Sequence, residues 1–232
     1  MYIALPDDIM VKIFMSFTVK DILNCLCLVC KRWKAISKSH QLWRILPLDN
    51  CKVKCLNKGN LLSILAHSSG FECLSINYIE LPELSYTILQ NSLIRASKLV
   101  YLDLSGQPLM NIDFIRMEKV PPLVTLTLDD YLNLYTGSEQ FMDIIRLLTN
   151  LRYLSLNRVS LSQRQAITIA KAQPELFLLG LSGAHGLCSR DVLTILQSCN
   201  VRLHFLQLSP YLNHKEALRD LCSEYDVTVN FV

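Results

Sequence analysis

Nine cysteines and five histidines carry most of the reactive side-chain chemistry of this 232-residue chain. Cys25, Cys27 and Cys30 are spaced like metal ligands, but they lie in an apolar helical run without the second pair of ligands that structural zinc sites usually need. Cys51 and Cys55 lack a partner pair as well. We therefore expect no metal or other cofactor, and we expect reduced thiols, of which Cys30, Cys73 and Cys199 are small apolar fillers or repeat positions.

One histidine lies close to a cysteine along the chain. His185 precedes Cys188 by three residues, and a thiol nucleophile beside a general base would need such a pair. No acid that could orient the histidine is evident, and the chain has no glycine-rich phosphate loop. We therefore expect that the protein is not an enzyme, and a cysteine-dependent transferase is the weakest of three function classes.

Composition narrows the class of partner. Hydrophobic residues make up 51% and charged residues 19% of the chain, as in a globular protein. The formal charge of +3 comes from 23 basic and 20 acidic residues, which is too weak to indicate nucleic-acid binding. The longest charge-free stretch, residues 176–189, is too short and too broken by glycine to span a bilayer. We see no signal peptide, so we expect a protein of the cytoplasm, the nucleus or both, without membrane contact.

The elements that must position these side chains begin with an apolar helical cluster. A helix from about Pro6 places Ile9, Ile13 and Phe14 on one side. Thr18 to Asp21 is a capping box that opens a second helix, which continues at helical spacing as far as Ile36. A unit this small holds more apolar surface than it can bury, which predicts a partner surface or a second domain against it.

The spacing of these residues resembles an F-box over roughly residues 3–48. The pattern consists of Leu-Pro, Ile-Phe, an Asp before a helical run, Val-Cys-Lys-Arg-Trp and Leu-Trp; Phe17, where the family more often has Leu, is one departure. The resemblance implies binding to a Skp-type adaptor and, through it, to the cullin and RING subunits of a ubiquitin ligase. The implied adaptor-binding residues are Leu5, Pro6, Ile9, Ile13, Phe14, Asp21, Val29, Cys30 and Trp33.

The remainder of the chain is an internal repeat. The pattern L-x-x-L-x-L, or close variants of it, starts at residues 43, 71, 99, 123, 151, 176 and 203, and its fourth position is Leu in all seven copies. Such a pattern indicates a short strand with inward leucines, and the spacing falls in the range of about 20–29 residues that leucine-rich repeats show. Capping boxes at Thr136, Ser162 and Asn213, and a cap at Ser189, predict helices between the strands. Residues 227–232 are predicted to form a closing edge strand.

An F-box followed directly by such repeats resembles the F-box/leucine-rich-repeat substrate receptors. The resemblance implies an α/β fold: a three-helix F-box at 1–48 fused to a short curved solenoid of about seven strand–helix repeats at 43–232, with the parallel sheet on the concave face. Because Trp43 and Leu46 belong to both units, we expect a rigid shared junction at 43–48. The implied function is a non-catalytic subunit that recognises a substrate for ubiquitination. The open alternative is a non-degradative scaffold, or a decoy that occupies the adaptor.

Alternation along the strands predicts which side chains face a substrate. If the fourth and sixth positions point inward, the third, fifth and seventh line the concave face. We expect a partner peptide or domain with a basic residue near the two acids and apolar side chains against the three aromatics; the alternative is that exposed strand columns are polar in any case. The predicted substrate-binding residues are Tyr101, Asp103, Thr127, Asp129, Tyr153, Asn157, Phe205 and Gln207.

Overall fold

The protein has an α/β fold in which short helices precede a parallel sheet. The computed structural model describes residues 5–48, 70–78, 95–107, 121–130, 139–184, 187–199 and 202–232, together with residues 64, 91 and 93. Cys51, Cys55, Thr136 and His185, on which some of the predictions above depend, lie outside the described residues.

The N-terminal helices are shorter than the sequence pattern predicts. Helix α1 spans Asp7–Phe14; it is followed by α2 (Val19–Asp21), a π-helical stretch (Ile22–Leu26), α3 (Cys27–Val29) and α4 (Lys31–Ile36). Thr18 caps α2 as predicted, since its hydroxyl accepts the Asp21 N–H at 3.2 Å. The predicted continuous second helix is interrupted at Cys30, whose backbone is extended and whose sulfur accepts the Trp33 N–H at 3.4 Å. Cys30 therefore acts as the N-cap of a separate helix.

The sheet has eight parallel strands in chain order. Each pair of neighbours aligns equivalent positions of the repeated pattern, so that Leu74 pairs with Leu102 and Leu102 with Leu126. The predicted closing strand is β8, which pairs with β7 at the edge. The strands are β1 (Ile45–Leu48), β2 (Cys73–Ile76), β3 (Tyr101–Asp103), β4 (Thr125–Thr127), β5 (Tyr153–Ser155), β6 (Leu178–Leu181), β7 (Phe205–Leu208) and β8 (Thr228–Phe231).

The inward leucines form the core together with one side of each helix. At the fourth position, Leu74, Leu126 and Leu179 are fully buried, as the alternation predicts. The helices contribute buried side chains such as Ile169 and Ile195 to the same cluster. These helices are α5 (Glu139–Leu147), α6 (Gln163–Ala172), α7 (Ser189–Ser198) and α8 (Lys215–Glu224). None of the helices in the described part of the chain is long and apolar enough to cross a membrane.

The caps of the helices that follow the strands agree with the sequence at one of three described sites. Ser162 forms the predicted capping box with Gln165. Helix α7 is instead capped one residue earlier than predicted, at Cys188, whose N–H donates to Asp191 Oδ2 at 2.8 Å. Helix α8 begins after His214, which has a left-handed backbone, and not after Asn213. In both cases a neighbouring residue occupies the position from which the first turn is capped.

Trp43 and Leu46 lie where the N-terminal helices meet the sheet, in one common core. Trp43 is buried, and its indole N–H donates to the Ser37 carbonyl at 3.0 Å. Leu46, three residues later in strand β1, is also buried, and β1 pairs with β2. The boundaries at 1–48 and 43–232, and the rigidity of the junction, stay predictions.

Among the described cysteines, burial distinguishes three exposed thiols from two buried ones and predicts their reactivity. Cys25, Cys30 and Cys188 are exposed, whereas burial raises the pKa of Cys199 to about 12 and that of Cys222 to about 11. Under native conditions at mildly alkaline pH, iodoacetamide should alkylate the exposed thiols and spare the buried pair, because the thiolate is the nucleophile. Peptide mass spectrometry gives the rate at each site.

The same burial predicts how stability changes with pH. A folded-state pKa above the unfolded value means that only the unfolded chain ionises these thiols above about pH 9, so the free energy of unfolding should fall as pH rises further. Denaturant titrations at increasing pH measure this effect. Alkylation of Cys199 in the native protein at the same rate as Cys25 would contradict the burial of Cys199.

Candidate functional site

The N-terminal helices leave an unusually apolar surface exposed. Leu28 and Val29 are 74% and 60% exposed, and Leu5, Ile9 and Ile13 are about two-fifths exposed or more. Scattered apolar residues are normal on a protein surface, but this many within one small helical unit indicate a binding surface. We call the group of Leu5, Pro6, Ile9, Ile13, Val29 and Cys30 the N-terminal apolar face.

Six of the nine predicted adaptor-binding residues are exposed, and they are the members of this face. The other three are in supporting positions. Phe14 is only 1% exposed and packs edge-on against Trp33, with ring centroids 5.3 Å apart. Asp21 is partly buried and accepts a hydrogen bond from Thr18 Oγ1 at 2.7 Å. Because Phe14 has almost no free surface, it supports the face from within, and its direct contact with an adaptor stays a prediction.

Arg32 holds the first residues of this face in place. Its Nε and Nη2 atoms lie 2.9 and 2.7 Å from Asp7 Oδ1, and Nη2 also donates to the Leu5 carbonyl. These contacts join α4 to the segment that carries Leu5 and Pro6. The sequence pattern contains Arg32 but does not reveal this role, because its partners are about 25 residues away along the chain.

The predicted substrate-binding residues lie on the sheet face opposite the inward leucines. The parallel register aligns Tyr101, Tyr153 and Phe205 in one column, with Thr125 and Leu178 between them. Tyr153 is 40% exposed and the other two aromatics are partly buried. Thr127 and Gln207 lie in the adjacent column and are also partly buried. The residues are thus on one surface, although their binding of a substrate stays a prediction.

Asp103 is engaged within the protein. It is 7% exposed, and its two oxygens accept four hydrogen bonds. The donors are the Ser105 N–H at 3.0 Å, the Ser105 hydroxyl at 2.7 Å, and Ser75 Oγ and Asn77 Nδ2 at 3.2 Å each. Most of the hydrogen-bonding capacity of this carboxylate is thus used within the protein. A basic residue of a partner would therefore gain little at this position.

Asp129 is engaged in the same way one strand further on. Its Oδ1 accepts the Ser155 hydroxyl at 2.6 Å and the Asn157 N–H at 2.8 Å. The side chain of Asn157 extends this polar network: its Oδ1 accepts the Ser182 N–H at 3.1 Å, and its Nδ2 lies 2.5 Å from Gln207 Oε1. The bridge from Asn157 to Gln207 passes over Gly180, where an added Cβ would lie within 3.0 Å of the Asn157 amide. We call Asp103, Asp129, Asn157 and their partners the polar network.

A group of three residues around Arg158, which we call the arginine cluster, lies beyond the carboxyl ends of the strands. Tyr78, Asp130 and Arg158 all have left-handed backbones, at the eighth position of their repeats. Arg158 Nε and Nη2 each lie 2.6 Å from an Asp130 oxygen, and Nη2 lies 2.8 Å from the Tyr78 hydroxyl. The Arg158 guanidinium lowers the pKa of Asp130, while burial and the hydrogen bond to Asp130 raise the pKa of Tyr78. The Tyr78 ring covers Gly106, where a Cβ would collide with it.

An aromatic platform occupies the start of strands β5 to β7. The Phe177 ring lies 5.6 Å from Tyr153 and 5.4 Å from Phe205, and it stacks on His204 at 4.6 Å with an angle of 22°. The repeat pattern predicts Tyr153 and Phe205 as members of this surface, but not Phe177 and His204. Both missed residues occupy the second position of the repeat pattern, and that position is the signal that could have identified them. In the described ranges, no three His, Cys, Asp or Glu side chains are close enough to hold a metal ion.

Comparison with known families agrees with the interpretation of the N-terminal region. A family model described as F-box-like matches residues 3–46. No curated protein matches the chain. The chain therefore carries an F-box-like domain, and this domain contains the whole N-terminal apolar face.

The hydrogen bonds of Asp103 predict a structural cost for its removal. In Asp103→Ala, four donors lose their acceptor in a largely buried place, so we expect the free energy of unfolding to fall by about 2–4 kcal/mol. Asp143→Ala is the matched control, because Asp143 forms an exposed ion pair with Arg146 that is worth at most about 0.5 kcal/mol.

Chemical denaturation of the two variants provides the comparison. Equal stability of Asp103→Ala and the unaltered chain would mean that this carboxylate is free for a partner, as the sequence analysis expected.

Proposed function

We propose that this protein is the substrate-recognition subunit of a Skp–cullin–F-box ubiquitin ligase. An F-box-like domain at residues 3–46 suggests a role in ligases of this type, because F-box domains generally bind Skp-type adaptors. In the proposed complex, the F-box region binds the adaptor and the sheet binds a protein substrate. The cullin and RING subunits join through the adaptor.

The observation that carries the proposal is the N-terminal apolar face. Its apolar side chains are exposed while Phe14 and Trp33 pack beneath them. Because Leu5 is 47% exposed, burying the rest of its side chain against a partner contributes about 1 kcal/mol. A folded chain with this surface uncovered gains solubility and binding energy when a partner covers it.

The sheet supports the second half of the proposal. Equivalent positions of the repeated pattern pair with one another from β2 to β7, as a leucine-rich-repeat solenoid would require. The face opposite the buried leucines carries aromatic and polar side chains that remain accessible. A peptide or a domain edge bound there would be held near the ligase, which raises the effective concentration of its lysines for ubiquitin transfer. The subunit would perform no chemistry itself.

A double substitution in the N-terminal apolar face tests adaptor binding. Leu5→Ala/Pro6→Ala should weaken co-purification with a Skp-type adaptor by about ten-fold or more, because it removes exposed apolar contacts. The matched control is Leu147→Ala, since Leu147 is 45% exposed on helix α5. Circular dichroism of each variant checks that the fold is kept.

The result can contradict the proposal in two ways. Adaptor binding that survives the double substitution would remove the apolar face from the interface. An unaltered chain that is soluble alone and ignores the adaptor would make the F-box-like region a cap on the sheet. If the adaptor binds but no bound partner is ubiquitinated in a reconstituted ligase, the scaffold or decoy alternative is favoured.

A thiol footprint gives a second measurement at the same face. Cys30 belongs to the N-terminal apolar face and Cys188 is exposed at the start of helix α7. The adaptor should slow alkylation of Cys30 by about ten-fold or more, because a bound partner excludes the reagent, and should leave Cys188 unchanged. Equal protection of both thiols, or of neither, would contradict the predicted orientation.

A further inference from the structure

The aromatic platform is bordered by a group of charges that the proposed function does not use. Glu175 lies between two arginines: Arg152 Nη1 donates to Glu175 Oε2 at 2.8 Å, and Arg202 Nη1 donates to the same oxygen. The side chains of Arg152 and Arg202 are 42% and 58% exposed. Two guanidiniums against one carboxylate leave a net positive charge at this border.

The residues that carry two of these charges, Arg152 and Arg202, are joined to the aromatic residues through their backbone carbonyls. The Phe177 and Leu178 N–H groups donate to the Arg152 carbonyl at 2.7 and 3.0 Å. The Arg202 carbonyl lies 2.8 Å from His204 Nδ1, and the His204 ring stacks on Phe177. The backbone carbonyls of both arginines therefore contact residues at the platform.

Each arginine has donors left for a ligand. Among the described residues, only the Nη1 atom of each guanidinium has a hydrogen-bond partner. Nε and Nη2 remain, and on a planar guanidinium they can bind both oxygens of a carboxylate at once. An apolar, half-exposed aromatic surface with such donors at its edge favours a ligand that combines an apolar side chain with an acidic one.

We propose that the aromatic platform binds an acidic peptide segment of the protein substrate. An apolar side chain of that segment lies on Tyr153, Phe177 and Phe205, and a neighbouring carboxylate accepts hydrogen bonds from Arg202 and Arg152. This inference rests on the proposed function, since it names the chemistry of the segment that the sheet would bind. The proposed segment is acidic, whereas the repeat pattern alone predicts a partner with a basic residue.

The charges on the sheet favour an acidic over a basic segment. Asp103 and Asp129 are the acids of the predicted surface, and both are occupied by the polar network. Arg152 and Arg202, by contrast, keep Nε and Nη2 without a hydrogen-bond partner among the described residues. A nucleic acid would use similar stacking and cationic contacts, but Glu175 lies among the arginines, and a single net positive charge is little for a polyanion.

Selection from a phage library of random peptides tests the proposal on the full chain. We expect the enriched peptides to share an Asp or Glu next to an apolar residue, and to bind the chain in fluorescence anisotropy. Tyr153→Ala and Arg202→Glu should each weaken the binding of these peptides by about ten-fold, because each removes one anchor. Two matched controls, Tyr211→Ala and Arg164→Glu, change exposed residues away from the platform and should leave binding unchanged.

Several results would overturn the inference. These are no enrichment, enriched peptides without an acid, equal binding by Arg202→Glu, or tighter binding of an oligothymidylate probe than of the peptides. Adaptor binding is measured on the same preparations. If the adaptor binds and the peptides fail, the peptide inference is wrong while the proposed function stands. If the peptides bind and the adaptor does not, the failure lies in the proposed function.

Discussion

The parallel alignment of equivalent leucines is the constraint on which the rest of the structure depends. Fourth-position leucines such as Leu102 and Leu154 are fully buried on successive strands. Since side chains alternate along a strand, this burial forces the third and fifth positions onto the opposite face. The accessible columns of aromatic and polar side chains therefore follow from the core, and a shift of one residue in any strand would exchange the two faces.

The two ends of the strands have different chemistry. At the carboxyl ends, the polar network and the arginine cluster use their charges internally, and they join strands that are far apart in sequence: Arg158 reaches Tyr78, 80 residues away. At the amino ends, the aromatic platform and its arginines retain accessible surface and donors. A partner that bound this sheet would gain more at the amino ends, because there its contacts would not have to replace hydrogen bonds that already exist.

The N-terminal region divides its side chains between support and exposure. Phe14 and Trp33 pack together beneath the surface. Arg32 of α4 forms hydrogen bonds with Asp7, in the first turn of α1, and with the Leu5 carbonyl just before it. The exposed residues that remain have no role in the core, which is why their chemistry indicates a partner. Periodicity distinguishes the two groups only in part, because Ile13 and Phe14 are adjacent in sequence and differ in exposure.

The sequence by itself determined the parallel sheet, the inward leucines, the closing strand and the F-box-like region, since each depends on local spacing that recurs or on adjacent motif residues. Only the tertiary structure decided the roles of individual polar and aromatic side chains. Asp103 was predicted to meet a basic partner, but its donors come from β2 and from the turn after its own strand. Phe177 and His204 join Tyr153 and Phe205 because parallel pairing brings strands about 25 residues apart to neighbouring positions. The pattern of a single repeat contains no information on which side chains of the next repeat will satisfy its hydrogen bonds.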